Sequence, residues 1–208
     1  MNNYIEQTEK VEMKFFGYII GEILRTIRGK AFVGAFIQCF CLIGYLSELS
    51  KNNYDEKDSE SYKNFIKNHL KGYDPEKLYA IRCALVHTYG YAEAMKKAYL
   101  SGYSFTHKNP ELHLKEIKTN GYHLNLSNFV YDIIKTTYDF FNEIKQEASK
   151  ENQEKYMYKT KNLIGVIDPS GERISANYAE ADIVLSAMDT KNINWEIVRN
   201  EIYKLCVS

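Results

Sequence analysis

A chain of 208 residues is long enough to bury a core without disulfide or metal staples, and it suits one domain or one domain with an appended module. Hydrophobic residues make up 45% and charged residues 26%, the balance of an ordinary folded soluble protein rather than of a disordered or fibrous one. Lys+Arg and Asp+Glu both number 27, so total charge demands neither a nucleic acid nor a membrane surface as partner.

The first apolar stripe places Phe15, Phe16, Ile19, Ile20, Ile23, Leu24 and Ile27 at helical spacing between Val11 and Ile27, and Arg25, Arg28 and Gly29 close it. A second helix is expected from about Lys30 to Leu49. Its stripe of Phe32, Ala35, Phe36, Cys39, Ile43, Leu46 and Leu49 is wide enough to pack on two neighbours. The most apolar run, Ala31 to Leu46, contains Gln38 and two glycines and is short for a bilayer, so a buried core helix is expected there. Ser50 to Ser61 is polar and reads as a loop leading into a third helix that starts near Asp58 or Ser59 and ends at Lys71-Gly72-Tyr73.

Asp74-Pro75 is a restart, an N-cap followed by proline at the first helical position. The fourth helix then turns Leu78, Ile81, Leu85 and Tyr89 inward and stops around Gly90. Beyond it the period changes. Leu112 to Lys118 and Tyr122 to Leu126 flank Thr119-Asn120-Gly121, a strong hairpin signal. A long helix is expected from Ser127, with Phe129, Ile133, Ile134, Phe140, Phe141 and Ile144 on its apolar side, decaying into the charged stretch Lys145 to Lys155. Asn162 to Ile167 reads as a short strand, Asp168-Pro169-Ser170-Gly171 as a turn, and two helices, about Ala176 to Met188 and Ile193 to Leu205, complete the chain.

Cys39, Cys41, Cys83 and Cys206 follow no metal-ligand or secreted-framework spacing. The segment Met-Asn-Asn-Tyr-Ile-Glu at the start lacks the layout of a signal peptide, so a reduced cytoplasmic location with no membrane association is expected. His107 and His113 flank Pro110-Glu111 and His123 lies on the hairpin; their spacing favours a surface hairpin over a metal site. No cofactor and no metal are expected. From Lys63 to Lys108, eight basic residues face three acids, a net of +5. That patch reads either as a field able to hold a phosphate backbone or as a solvated face.

The residues that could carry chemistry lie on the fourth helix, where Arg82 and His87 either form a site or tie helix ends together through hydrogen bonds to carbonyls or carboxylates. Arg82 lies on the apolar stripe and must find an anion, a carbonyl or an interface, because burying it unpaired is costly. His87, five residues on, lies about 140° round an ideal helix. The two converge only if the helix end distorts, the arginine reaches round, or two chains build the site together. Tyr89 returns to the face of Arg82.

Arg82, four intervening residues, His87, Thr88 and Tyr89 resemble the R-x4-H-x-Y motif of HEPN domains. These helical bundles recur in prokaryotic toxin–antitoxin, anti-phage and RNA-processing systems, and the motif is similar to that of HEPN toxins partnered with minimal nucleotidyltransferase antitoxins. The resemblance implies a mainly α fold: an up-and-down helical bundle over residues 1–151, including the hairpin at 112–126, with a small α(+β) C-terminal extension at 152–208. It further implies a homodimer whose motif helices face one another, and RNA as substrate, cleaved without metal. Arg82 would hold the scissile phosphate, and His87 would serve as general base or acid for attack by the ribose 2′-hydroxyl. Tyr89 would line the cleft, at the position where an antitoxin attaches nucleotides. Cys83 departs from the pattern, since catalytic members usually carry a polar residue directly after the arginine. The alternative is a non-catalytic HEPN-like interaction or nucleotide-binding module.

Overall fold

The computed structural model describes residues 2–51, 55–88, 93–117, 120–163 and 193–208. The chain is mainly helical, with one small three-stranded sheet inserted between helices.

The first helix begins earlier than its apolar stripe. Helix α1 (Asn2–Lys14), a π-helical segment (Phe15–Ile20) and α2 (Gly21–Arg28) follow one another directly. The early turns are polar, so periodicity misses them. Their anchor is Tyr4, whose hydroxyl donates to the carbonyl of Ile144 at 2.8 Å, and Lys145 pairs with Glu12 at 2.8 Å. Helix α3 (Phe32–Ser50) is among the described residues the one long and apolar enough to cross a membrane; half of its apolar window is buried. It packs against α2, α4 (Asp58–His69) and α7 (Leu126–Lys145), which explains an apolar surface that runs around most of its circumference. Phe15, Phe36, Phe40, Phe65, Phe129 and Phe141 fill the centre of the core, each almost wholly buried.

Helix α5 (Pro75–Cys83) starts where its signals place it. The Asp74 carboxylate accepts from the backbone N–H of Glu76 at 2.9 Å and of Lys77 at 3.1 Å, and Pro75 takes the first turn. Leu78, Ile81 and Leu85 are buried as expected; Tyr89 lies outside the described residues. From Ala84 to Thr88 the helix widens into a π turn. A five-residue helix, α6 (Glu93–Lys97), follows.

The hairpin is present but shorter on its first side than expected. Pro110–Leu112 is a 3-10 turn, and only β2 (Glu116–Ile117) pairs antiparallel with β3 (Gly121–Asn125). Asn120 adopts a left-handed φ of 58°, as the Asn-Gly signal requires. A side chain at Gly121 would meet the Ile117 Cβ at 2.8 Å, so the tight turn needs glycine there. A strand that periodicity did not single out, β1 (Gly102–Thr106), lies parallel to β3, and the sheet order is β1-β3-β2.

The charged stretch after α7 is not a decaying helix end. A break at 146–149 precedes α8 (Lys150–Leu163), whose Lys159 ammonium is buried and donates to the carbonyls of Leu49, at 3.3 Å, and Lys51 at the end of α3. Position 152 lies inside α8, and Asn162 and Leu163 are helical rather than the start of a strand. The rest of that strand, the turn at 168–171 and the helix at 176–188 lie outside the described residues. The C-terminal helix (Trp195–Val207) packs on α7 and α2 through Val198, Ile202 and Cys206. Its Arg199 guanidinium lies 4.3 Å from the Tyr131 ring centroid.

Replacing the cap of the motif helix, Asp74→Ala, leaves two backbone donors without their acceptor. It should lower stability by about 1 kcal/mol, read as a shifted midpoint in urea with unchanged slope.

Candidate functional site

The fourth-helix motif gains its geometry from the π turn. In an α-helix the backbone bonds close over four residues, and positions five apart diverge; a π turn closes over five and brings them into register. Arg82 lies in the last turn of the regular part and His87 sits on the widened turn. Arg82 Nη1 donates to His87 Nε2 at 2.8 Å. His87 is exposed and Arg82 partly so, which leaves the pair open to a ligand. Of the three routes to convergence, the distorted helix end is the one realised within a single chain.

Because a guanidinium can only donate, the bonded Nε2 must be the acceptor, and His87 is the neutral tautomer protonated at Nδ1. The floor beneath Arg82 is Tyr62 of α4, a buried residue whose ring centroid lies 5.8 Å from the guanidinium carbon. Burial pushes the Tyr62 hydroxyl well above the usual phenol range, and it donates to the Phe40 carbonyl at 3.3 Å. Tyr62 is a contributor that no spacing in the sequence singles out, because it meets Arg82 only through the packing of α4 on α5. Asp58, at the start of α4, also senses Arg82, but its carboxyl is held below the usual range chiefly by the hydrogen bond from Lys51 at 2.8 Å. Behind the site, burial and then the neighbouring Cys83 thiol push the Tyr79 hydroxyl upward.

The basic stretch is less positive in space than in sequence. Lys63 pairs with Glu76 at 2.9 Å, Lys77 with Glu116 at 2.8 Å, and Lys96 with Glu93 at 3.5 Å. Part of the patch is therefore a neutralised surface network of small energetic weight.

The three hairpin histidines stay apart, and among the described residues no group of three His, Cys, Asp or Glu is placed to hold a metal ion. His107 stacks on Phe32 with centroids 4.3 Å apart, and His123 lies on β3. His113, expected on a surface hairpin, is instead largely enclosed, its side chain 9% exposed. It accepts the backbone N–H of Asn125 at Nδ1 (3.0 Å), so its Nε2 carries the proton and donates to the Tyr73 hydroxyl at 2.8 Å. Tyr73 in turn donates to Asp132 Oδ2 at 2.8 Å. Burial, reinforced by the Asp132 charge, holds the Tyr73 phenol protonated. This chain ties the hairpin and α7 to the turn that launches the motif helix. Asp132 faces a cavity of about 320 Å³ between the end of α4 and α7, which His69, Lys71, Lys135, Asp139 and Glu143 also line.

His69 offers a pH test of this region. Burial against Phe65 and Phe140 pulls its pKa below the ordinary imidazole value of about 6.5, partly offset by Glu143. The folded state therefore resists protonation more than the unfolded chain does. Its contribution is fully present above about pH 6.5 and is lost as pH falls through that value toward the lower folded one. A His69→Phe variant should show a flatter stability profile than the parent below that pH, measured by urea unfolding across pH.

No protein-family model matches this chain, and neither a curated protein nor a solved structure matches it significantly.

Proposed function

We propose that this protein is a metal-independent endoribonuclease of HEPN type, acting in the cytoplasm as a homodimer and serving as a toxin or anti-phage effector. The observation that carries the reading is the Arg82–His87 contact of 2.8 Å on an accessible helix end, with a cation and an imidazole side by side. The resemblance of Arg82, His87 and Tyr89 to the HEPN motif supplies the choice of substrate.

In this reading Arg82 grips the scissile phosphate and offsets the charge that builds on it. His87 Nε2 takes the proton of the 2′-hydroxyl as O2′ bonds to phosphorus, and the resulting imidazolium can return a proton to the departing O5′. The P–O5′ bond breaks, giving a 2′,3′-cyclic phosphate and a 5′-hydroxyl. Single-stranded RNA or RNA loops fit best, because they leave the 2′-hydroxyl free to reach in-line geometry. Tyr89 would line the cleft and would be the residue that a nucleotidyltransferase antitoxin modifies.

The alternative, a non-catalytic HEPN-like interaction or nucleotide-binding module, is favoured by Cys83. The thiol stands beside Arg82, where catalytic members carry a polar residue, and it engages Tyr79 rather than the Arg82–His87 pair.

Purified protein should cleave single-stranded RNA in EDTA, leaving cyclic-phosphate ends, and should not cleave a strand with 2′-deoxyribose at the scissile position. Arg82→Ala and His87→Ala should each reduce cleavage by roughly 10²-fold or more with circular dichroism unchanged. EDTA-resistant cleavage of parental rate in both variants refutes the assigned roles. RNA binding without cleavage by the parent protein supports the interaction module instead.

A further inference from the structure

The contact that brings Arg82 and His87 together also disables them. A general base needs a free lone pair, and the Nε2 lone pair of His87 is occupied by the Nη1 proton of Arg82 at 2.8 Å. A general acid needs a proton at that nitrogen, and the same bond requires that there be none. With that bond in place the imidazole can perform neither step through Nε2.

We propose that Arg82 is a latch on His87 that a phosphodiester oxyanion opens: binding of the anion draws Nη1 off Nε2 and uncovers the base at the moment substrate arrives. This inference rests on the ribonuclease reading and adds regulation of the same site to it. Three features support it. First, the competition favours the anion. A guanidinium bond to an anionic oxygen is roughly twice as strong as one to a neutral acceptor, and an end-on grip of a phosphate employs Nη1 together with Nη2. Second, the arginine head has room to change partners. It is partly exposed and bears on the Tyr62 ring at 5.8 Å, a contact that fixes its place without fixing its donors. Third, the imidazole sits on the exposed side of a π turn, so the anion reaches it from solvent.

The surrounding groups leave the exchange to this pair. From α4, Tyr62 holds its proton through burial, and Asp58 is engaged by Lys51 and kept ionised. On α5 itself, Tyr79 is likewise held protonated and Cys83 is turned toward it; from α3, Cys41 acts on Tyr62.

The test uses long-range proton–nitrogen NMR of the imidazoles, with His87 assigned by its loss in His87→Gln. The probes are a 2′-O-methylated oligoribonucleotide, which carries phosphodiesters but has no attacking hydroxyl, and its methylphosphonate-linked counterpart, whose backbone is neutral. In the free protein His87 should carry its proton at Nδ1 with Nε2 bare. Saturation with the charged oligonucleotide should leave Nε2 bare but release it from Arg82, read as a downfield shift of its nitrogen resonance, and the neutral one should change nothing. In Arg82→Gln the free-protein signal should already lack the pure Nδ1–H pattern. An Nε2–H tautomer in the free protein overturns the latch. So does a bound charged oligonucleotide that leaves the His87 signal unmoved, or a neutral one that moves it equally. If RNA cleavage persists alongside any of these results, the latch fails alone and the ribonuclease reading stands. If the charged oligonucleotide shows no binding by anisotropy and RNA is not cleaved, both fail together.

Discussion

The π turn at Ala84–Thr88 is the constraint on which the candidate site depends. On a regular helix Arg82 and His87 would point to different sides, one toward the apolar stripe and one toward solvent. Widening the last turn keeps Ala84 and Leu85 in the core while rotating His87 back over Arg82. The start of the same helix is held equally firmly, by the Asp74 cap and by Tyr73 just before it, so the register of the motif is set at its origin and altered only at its end.

Two histidines in this chain have their tautomers set by partners of different kinds. His113 has its tautomer set by the main-chain N–H of Asn125 and its other nitrogen bonded to buried Tyr73. Neither partner can leave without breaking the junction between β3 and α7. His87 has its tautomer set by a charged, partly exposed side chain. A fixed backbone donor makes a strut; a guanidinium with several donors makes a partner that a stronger acceptor can displace. The same chemistry of hydrogen-bond direction thus yields a strut in one place and a candidate base in the other.

The rest of the fold supports this helix from beneath. Helix α3 is covered by α2, α4 and α7, and the aromatic centre of the core joins Phe36 and Phe40 of α3 to Phe129 of α7. The C-terminal helix and α8 add to that body at its far side, the first through buried apolar residues and the second through Lys159 on the carbonyls that end α3. A buried ammonium at a helix C-terminus meets both unsatisfied carbonyls and the negative end of the helix dipole, which offsets the cost of its desolvation.

Much of the architecture was legible in the amino-acid order. The apolar stripes of α2, α3 and α7, the Asp74-Pro75 start and the Asn120-Gly121 turn all obey local rules, in which a few neighbouring residues determine backbone preference. The polar first turns of α1, the charged helix α8 and the short strand β1 were not legible, because their partners lie far along the chain: Ile144 for Tyr4, Leu49 and Lys51 for Lys159, and all of β3 for β1. The site divides the same way. Sequence alone marked Arg82 and His87 and showed that a regular helix would keep them apart. Only the tertiary structure decided that the helix end widens, that Tyr62 forms the floor, and that His113 bonds to Tyr73, since each depends on packing between distant segments rather than on the spacing of residues along one of them.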